Sequence, residues 1–198
     1  MKKRQAYVRI EFGRVFCKKE FYFSVPGIAI ILFLSANDGM GNMGDSALAA
    51  VLLSSYDAGF LIAFSLAAIP YATAFTDELE YNYAKYLIIR GNLKSYVFSK
   101  MLVIFISSVL AMGFGIACFG ICCAAGLPWV DEGIGEYILQ FGGYRYFLAH
   151  GHYLLWFLLY GIQWGILAGI LSMAAAFCSL FLPNKLLVYS VPVLLYQI

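Results

Sequence analysis

The sequence predicts an all-α protein, a polytopic transmembrane helical bundle of about five spans with its N-terminus in the cytoplasm. Three observations carry that expectation. Hydrophobic residues fill 63% of the 198 positions and charged residues only 12%, against roughly 45–50% and about 25% in a soluble domain. Mean hydropathy is +0.81. The uncharged residues fall into five runs, and the basic residues gather on one side of the path that alternates between them. A 22.0 kDa globule has too little interior for so much apolar surface, so lipid is the solvent for most of the chain. Disorder, a secreted disulfide scaffold and an ordinary cytosolic enzyme are excluded at this step.

The elements follow in order. Residues 1–19 hold seven of the thirteen Lys and Arg, and Val8, Phe12, Val15 and Phe16 recur at helical spacing. That pattern predicts an amphipathic helix over 1–20 lying in the inner interface, its basic residues toward anionic headgroups. The expected spans are 21–37, 49–76, 101–130, 153–184 and 186–198, set against the roughly 20 apolar residues a crossing needs. The second begins as an apolar lead and continues across Asp57 into 19 uncharged residues, 58–76. The third and fourth are uncharged for 30 and 32 positions, about 45 Å of helix, and should tilt, kink or project beyond the core. Gly113, Gly115, Gly120 and Gly126 in one, and Gly161, Gly165 and Gly169 in the other, are bending or close-packing points. The last three share one helical face, which suits ordinary helix packing more often than dimerisation.

Orientation comes from the charges. Lys85, Arg90, Lys94 and Lys100 lie between the second and third spans and Lys185 between the fourth and fifth, while the 131–152 loop holds only Arg145. Twelve of thirteen basic residues therefore share a side, which the positive-inside rule assigns to the cytoplasm. The 131–152 loop is extracellular. The fifth run would leave the C-terminus outside, ending in apolar residues: either this span is short, or a longer version of the chain would add a final hairpin.

Residues 77–95 are expected to form a cytoplasmic helix. Asp77 followed by Glu80 resembles a capping box, and Asp77, Glu78 and Glu80 precede Lys85 and Arg90 in the order that suits the helix dipole. Leu79, Tyr83, Tyr86, Leu87 and Arg90 make one apolar and aromatic face, suited to a groove on another protein. A membrane-surface helix with interfacial Tyr residues is the plainer alternative.

Little else in the chain carries chemistry. No Gly-xxxx-Gly-Lys-Ser/Thr loop is present, so ATP hydrolysis would belong to a separate subunit. His150 and His152 lack the further ligands of a metal site, and Cys118, Cys122, Cys123 and Cys178 read as packing residues. Asp57 and Gln163 are the candidate transport-path residues: a carboxylate within an apolar run, and an amide deep in a span. A span that starts just after Asp57 would instead leave that carboxylate at the outer headgroup level. No catalytic constellation appears, and the chain is not expected to be an enzyme or to bind nucleic acid.

The N-terminal pattern of Glu11, Arg14, Lys18, Lys19 and Phe21 leading into the first span resembles the opening of ABC-2-type transporter permeases. The stretch FTDELEYNYAKYLIIRGNLKSYVFSKML (75–102), with Tyr96-xxx-Lys100 entering the third span, resembles the region between their second and third spans. The resemblance implies a coupling helix contacting an ATP-binding subunit through Asp77, Glu78, Glu80, Tyr83, Leu87 and Arg90. It implies a homodimer or heterodimer of permease subunits in a bacterial plasma membrane, working as an exporter. Seventeen Phe, fifteen Tyr and three Trp suit an amphipathic or hydrophobic cargo, though the same residues more often furnish aromatic belts and helix packing. ATP and Mg would sit on the partner subunit, with no cofactor on this chain. The competing class is a non-transporting assembly, scaffold or immunity subunit that binds a partner through the same helix.

Overall fold

The computed structural model describes residues 2–38, 45–80, 93–131, 133, 136–138, 142–182 and 184–197. Among these, all regular structure is helical: α1 (Lys2–Cys17), α2 (Lys19–Asp38), α3 (Ala47–Ser54), α4 (Ala58–Ala68), α5 (Ala74–Glu80), α6 (Leu93–Ala124), α7 (Arg145–Ala149), α8 (Tyr153–Cys178) and α9 (Lys185–Tyr196). Helices α2, α6 and α8 are long and apolar enough to cross a membrane, and α3 with α4 would make a fourth span bent by 78°. Helix α9 has 12 residues and reaches roughly 18 Å, short of a hydrocarbon core about 30 Å thick. The five expected spans thus resolve into three full-length helices, one broken stretch and one short helix.

The core is built for close backbone approach. Helices α6 and α8 run antiparallel along a glycine face. A Cβ on Gly161 would lie 2.8 Å from the Gly113 carbonyl oxygen, one on Gly165 2.7 Å from that of Val109, and one on Gly169 2.6 Å from the Phe105 ring. Each four-residue step along α8 meets a four-residue step back along α6, so these glycines serve packing within the chain. Buried positions are rich in alanine, with Ala63, Ala67, Ala68, Ala111, Ala168, Ala175 and Ala176 all at most 1% exposed. Large apolar groups such as Phe23, Ile30, Ile62, Ile166, Ile170 and Phe177 face outward. Small residues inside and bulky apolar residues outside are the arrangement lipid favours.

The break in the second stretch has a local cause. The Ser54 and Ser55 hydroxyls donate back to the carbonyls of Val51 and Leu52, at 2.8 and 2.7 Å, capping α3 from within. Asp57 is then extended (φ −85°, ψ 154°), and α4 starts afresh at Ala58. The Gly59 amide donates to Ser35 Oγ at 3.1 Å, seating the new helix against the end of α2.

Two boundaries correct the sequence expectation. The helix expected to start at Asp77 begins at Ala74, and the Asp77 amide is already bonded to the Thr73 carbonyl at 2.9 Å. Asp77 is therefore inside the helix, and its side chain is engaged by lysines from other elements. Helix α6 starts at Leu93 and runs unbroken past its glycines, but ends at Ala124 rather than 130, where Gly126-Leu127-Pro128 cannot continue it. The 131–152 loop contains α7, and the Trp156 indole donates to the Gly143 carbonyl at 3.2 Å.

Segments that charge assigned to the same side meet at the same end. At one end, Ser46 Oγ donates to Asp131 at 2.7 Å, and the Ala47 amide donates to the Pro128 carbonyl at 2.9 Å. At the other, α1, α5, the start of α6 and the start of α9 converge on a cluster of charges.

Candidate functional site

The cluster grows from α1. Along that helix Val8, Glu11, Phe12 and Val15 share one face at three- and four-residue steps, and Glu11 and Val15 are buried. A carboxylate in that position must find a partner. The Tyr71 hydroxyl, from the segment joining α4 to α5, donates to Glu11 Oε2, and Arg14 Nη1 lies 3.3 Å from Glu11 Oε1. Arg14 also reaches Glu78 of α5, at 3.7 Å. Partial burial pulls the Arg14 guanidinium down, but Glu11, Tyr71 and Glu78 outweigh it and hold its pKa above the ordinary value.

Lys100 is the second anchor. It follows Tyr96 by one turn and precedes Val103 and Ile104 on the inward face of α6, and its side chain is 0% exposed. Its ammonium pairs with Glu78 Oε2 and donates to the Ala74 carbonyl at 3.1 Å. It stands 5.0 Å from the Phe75 ring centroid and 5.2 Å from that of Tyr96, a cation enclosed by a carboxylate, a carbonyl and two aromatic faces. Asp77 takes the remaining lysines: Lys185, at the start of α9, at 2.9 Å, and Lys18, between α1 and α2, at 3.9 Å. A cleft of about 330 Å³ opens beside the pairs, lined by Arg14, Cys17, Lys18, Tyr71, Asp77 and Glu78.

Three carboxylates and four cations thus join α1, α5, α6 and α9. The arrangement is an electrostatic clamp in which each of the three carboxylates is held by at least one cation.

Of the residues singled out in the sequence, Asp77 and Glu78 lie in this clamp. Glu80 ends α5, but its side chain, like Tyr83, Leu87 and Arg90, lies outside the described residues. Asp57 sits at the break before α4, where its side chain makes no cap hydrogen bond. Gln163 is on the exposed side of α8. Neither joins the clamp. Tyr71 and Lys185 are clamp members that the sequence did not single out as a site. Glu11 on an apolar helix face, and Lys100 aligned with Tyr96 and Ile104, were the visible signals that buried partners were needed. No family model matches this chain, no curated protein matches its sequence, and no solved structure matches its fold.

Proposed function

We propose that this chain is the membrane-spanning subunit of an ATP-driven exporter of the ABC-2 type in a bacterial plasma membrane. It would work beside a second copy or a related subunit, with cytoplasmic ATP-binding subunits that hold ATP and Mg. A single observation carries the reading. The two separate stretches that resemble such permeases, around Glu11–Lys18 and around Asp77–Lys100, come together in one clamp through Arg14–Glu78 and Lys18–Asp77, while Lys100–Glu78 ties the two ends of the second stretch. A push on the segment after α5 would reach α6 through the buried Lys100–Glu78 pair, and α1 and α9 more loosely through the part-exposed pairs of Arg14 and Lys185.

In this reading Asp77 and Glu78 anchor the coupling element to the membrane helices, while Glu80, Tyr83, Leu87 and Arg90 meet the ATP-binding subunit. The aromatic and aliphatic groups would fill its groove and the charges would set the register. ATP acts through the different affinity of the paired ATPases for two arrangements of the helices. The substrate is amphipathic or hydrophobic.

The test is purification of the chain from its host with an ATP-binding subunit attached, followed by Tyr83→Ala together with Leu87→Ala. The pair of substitutions should abolish the association and leave the thermal stability of the chain unchanged. Retained association would remove the docking assignment. A stable chain that never acquires a nucleotide-dependent partner would favour an assembly or scaffold subunit instead.

A further inference from the structure

A second cavity, of about 450 Å³, lies away from the clamp and is lined by Ser55, Tyr56, Asp57, Phe60, Tyr196 and Gln197 among others. Its depth can be read from two helices that begin at the clamp end. Helix α9 rises from Lys185, which holds Asp77, to Tyr196 on the cavity wall, roughly 17 Å at 1.5 Å per residue. Helix α2 rises from Lys19 to Ser35, which meets Gly59 two residues past Asp57, roughly 24 Å. Both lengths are shorter than a hydrocarbon core about 30 Å thick, so with the clamp at one face of a bilayer Asp57 falls within the thickness that the long helices cross.

Its carboxylate differs from those of Glu11, Asp77 and Glu78. It neither caps α4 nor forms an ion pair or side-chain hydrogen bond among the described residues. A half-buried carboxylate among apolar groups, with no cation of its own, attracts a positive charge. Three of its wall residues are aromatic, Tyr56, Phe60 and Tyr196. Behind the wall, Phe60 packs edge-on to Phe64 at 5.4 Å and to Trp164 at 4.9 Å, and Phe64 lies 4.8 Å from Tyr196. Aromatic faces attract cations, and the attraction grows where water is excluded.

We infer that this cavity binds a lipophilic organic cation, its positive centre against Asp57 and its apolar body against Tyr56, Phe60 and Tyr196. This names the substrate class of the exporter and in that respect rests on the transport reading, but the binding itself requires no ATP-binding subunit. A broken span supplies the geometry: the bend at Asp57 turns backbone and carboxylate toward the cavity where a continuous helix would present a plain apolar surface.

Equilibrium binding of radiolabelled tetraphenylphosphonium to the full chain in lipid nanodiscs tests it. Triphenylphosphine oxide, aromatic and bulky but uncharged, serves as competitor. Binding should saturate, weaken about tenfold or more in Asp57→Asn, stay within a few-fold in Asp57→Glu, and weaken several-fold in Tyr196→Ala. Equal displacement by the uncharged analogue would reduce the site to apolar partition and overturn the proposal. So would unchanged binding in Asp57→Asn, or displacement by millimolar Na⁺, which would make the cavity an inorganic cation site. Should Asp57→Asn fail to fold, Tyr196→Ala and Asp57→Glu decide alone. Cation binding in a chain that pairs with no ATPase would leave the site standing and remove the exporter. An ATPase-coupled chain that binds no cation would do the reverse.

Discussion

The ammonium of Lys100, wholly buried at the start of α6, meets the carboxylate of Glu78 on α5, which is itself only 13% exposed. The two residues are separated by the segment between α5 and α6, so the pair staples the base of α6 to α5. Glu78 also receives Arg14 from α1 at 3.7 Å, and Lys100 has the Ala74 carbonyl as a second acceptor at 3.1 Å. Neither charge is left without compensation, which is the condition for a buried pair to be tolerated at all.

Removing one partner should therefore cost far more than removing both. Lys100→Met leaves Glu78 and the Ala74 carbonyl buried with one cation fewer, and should lower stability by about 3–5 kcal/mol. Adding Glu78→Gln to that variant should recover part of the loss. Thermal unfolding of the two single variants and the double variant in detergent measures this. Additive losses would show that the two side chains act independently.

The neighbouring pair should behave differently. Lys185 lies closer to Asp77, at 2.9 Å, but its side chain is 47% exposed and that of Asp77 30%. Solvent screening and side-chain entropy limit such a pair to about 0.2–1 kcal/mol. A double-mutant cycle with Asp77→Asn and Lys185→Gln should return a coupling in that range, weaker in high salt. A coupling comparable to that of Lys100 with Glu78 would mean that α9 is bound to the clamp as firmly as α6.

The α6–α8 seam gives a sharper contrast. The nearest atoms to a Cβ at Gly165 are the oxygen and Cα of Val109, at 2.7 and 3.0 Å. Both are backbone, which cannot rotate away, so Gly165→Ala should force the helices apart at a cost of about 1–3 kcal/mol. Gly126→Ala meets nothing within 4 Å and should change stability by less than about 0.5 kcal/mol. Unfolding temperatures of the two variants side by side provide the check. Equal stability would mean that α6 and α8 do not pack along this face.

Much of this was legible in the sequence, and the reasons divide cleanly. The helices at 21–37 and from 153 onward could be read from hydropathy because lipid exposes apolar residues all around a helix. The contact between 45–48 and 128–131 brings two segments without Lys or Arg to one end of the bundle. The break at Asp57 was not legible as a break. Its cause is a pair of serine hydroxyls turning back on α3, and serine is common inside membrane helices too. The clamp was half legible. Asp77 and Glu78 stood out as acidic residues near a helix start, but their partners Arg14, Lys18, Lys100 and Lys185 are between 22 and 108 positions away. Charge order along one helix carries no information about such distances, so Asp77 read as a cap when tertiary contacts had already claimed it.

Sidedness is the property on which the transport reading most depends, and two positions test it directly. Cys17 is an exposed thiol at the clamp end, and Ala149 is exposed in α7, within the loop expected outside. In a background with Cys118, Cys122, Cys123 and Cys178 replaced by serine or alanine, either position can be labelled alone: native Cys17, or Ala149→Cys with Cys17 replaced. A membrane-impermeant maleimide added to intact cells should label the Ala149→Cys variant and spare Cys17, with Cys17 reacting once the membrane is opened. The expectation follows from the twelve basic residues on the Cys17 side, each costly to carry across a membrane. Inverted labelling would place the clamp outside the cell. Asp77, Glu78 and the segment after α5 would then be beyond the reach of any cytoplasmic ATPase, and the coupling role assigned to them would fall with the topology.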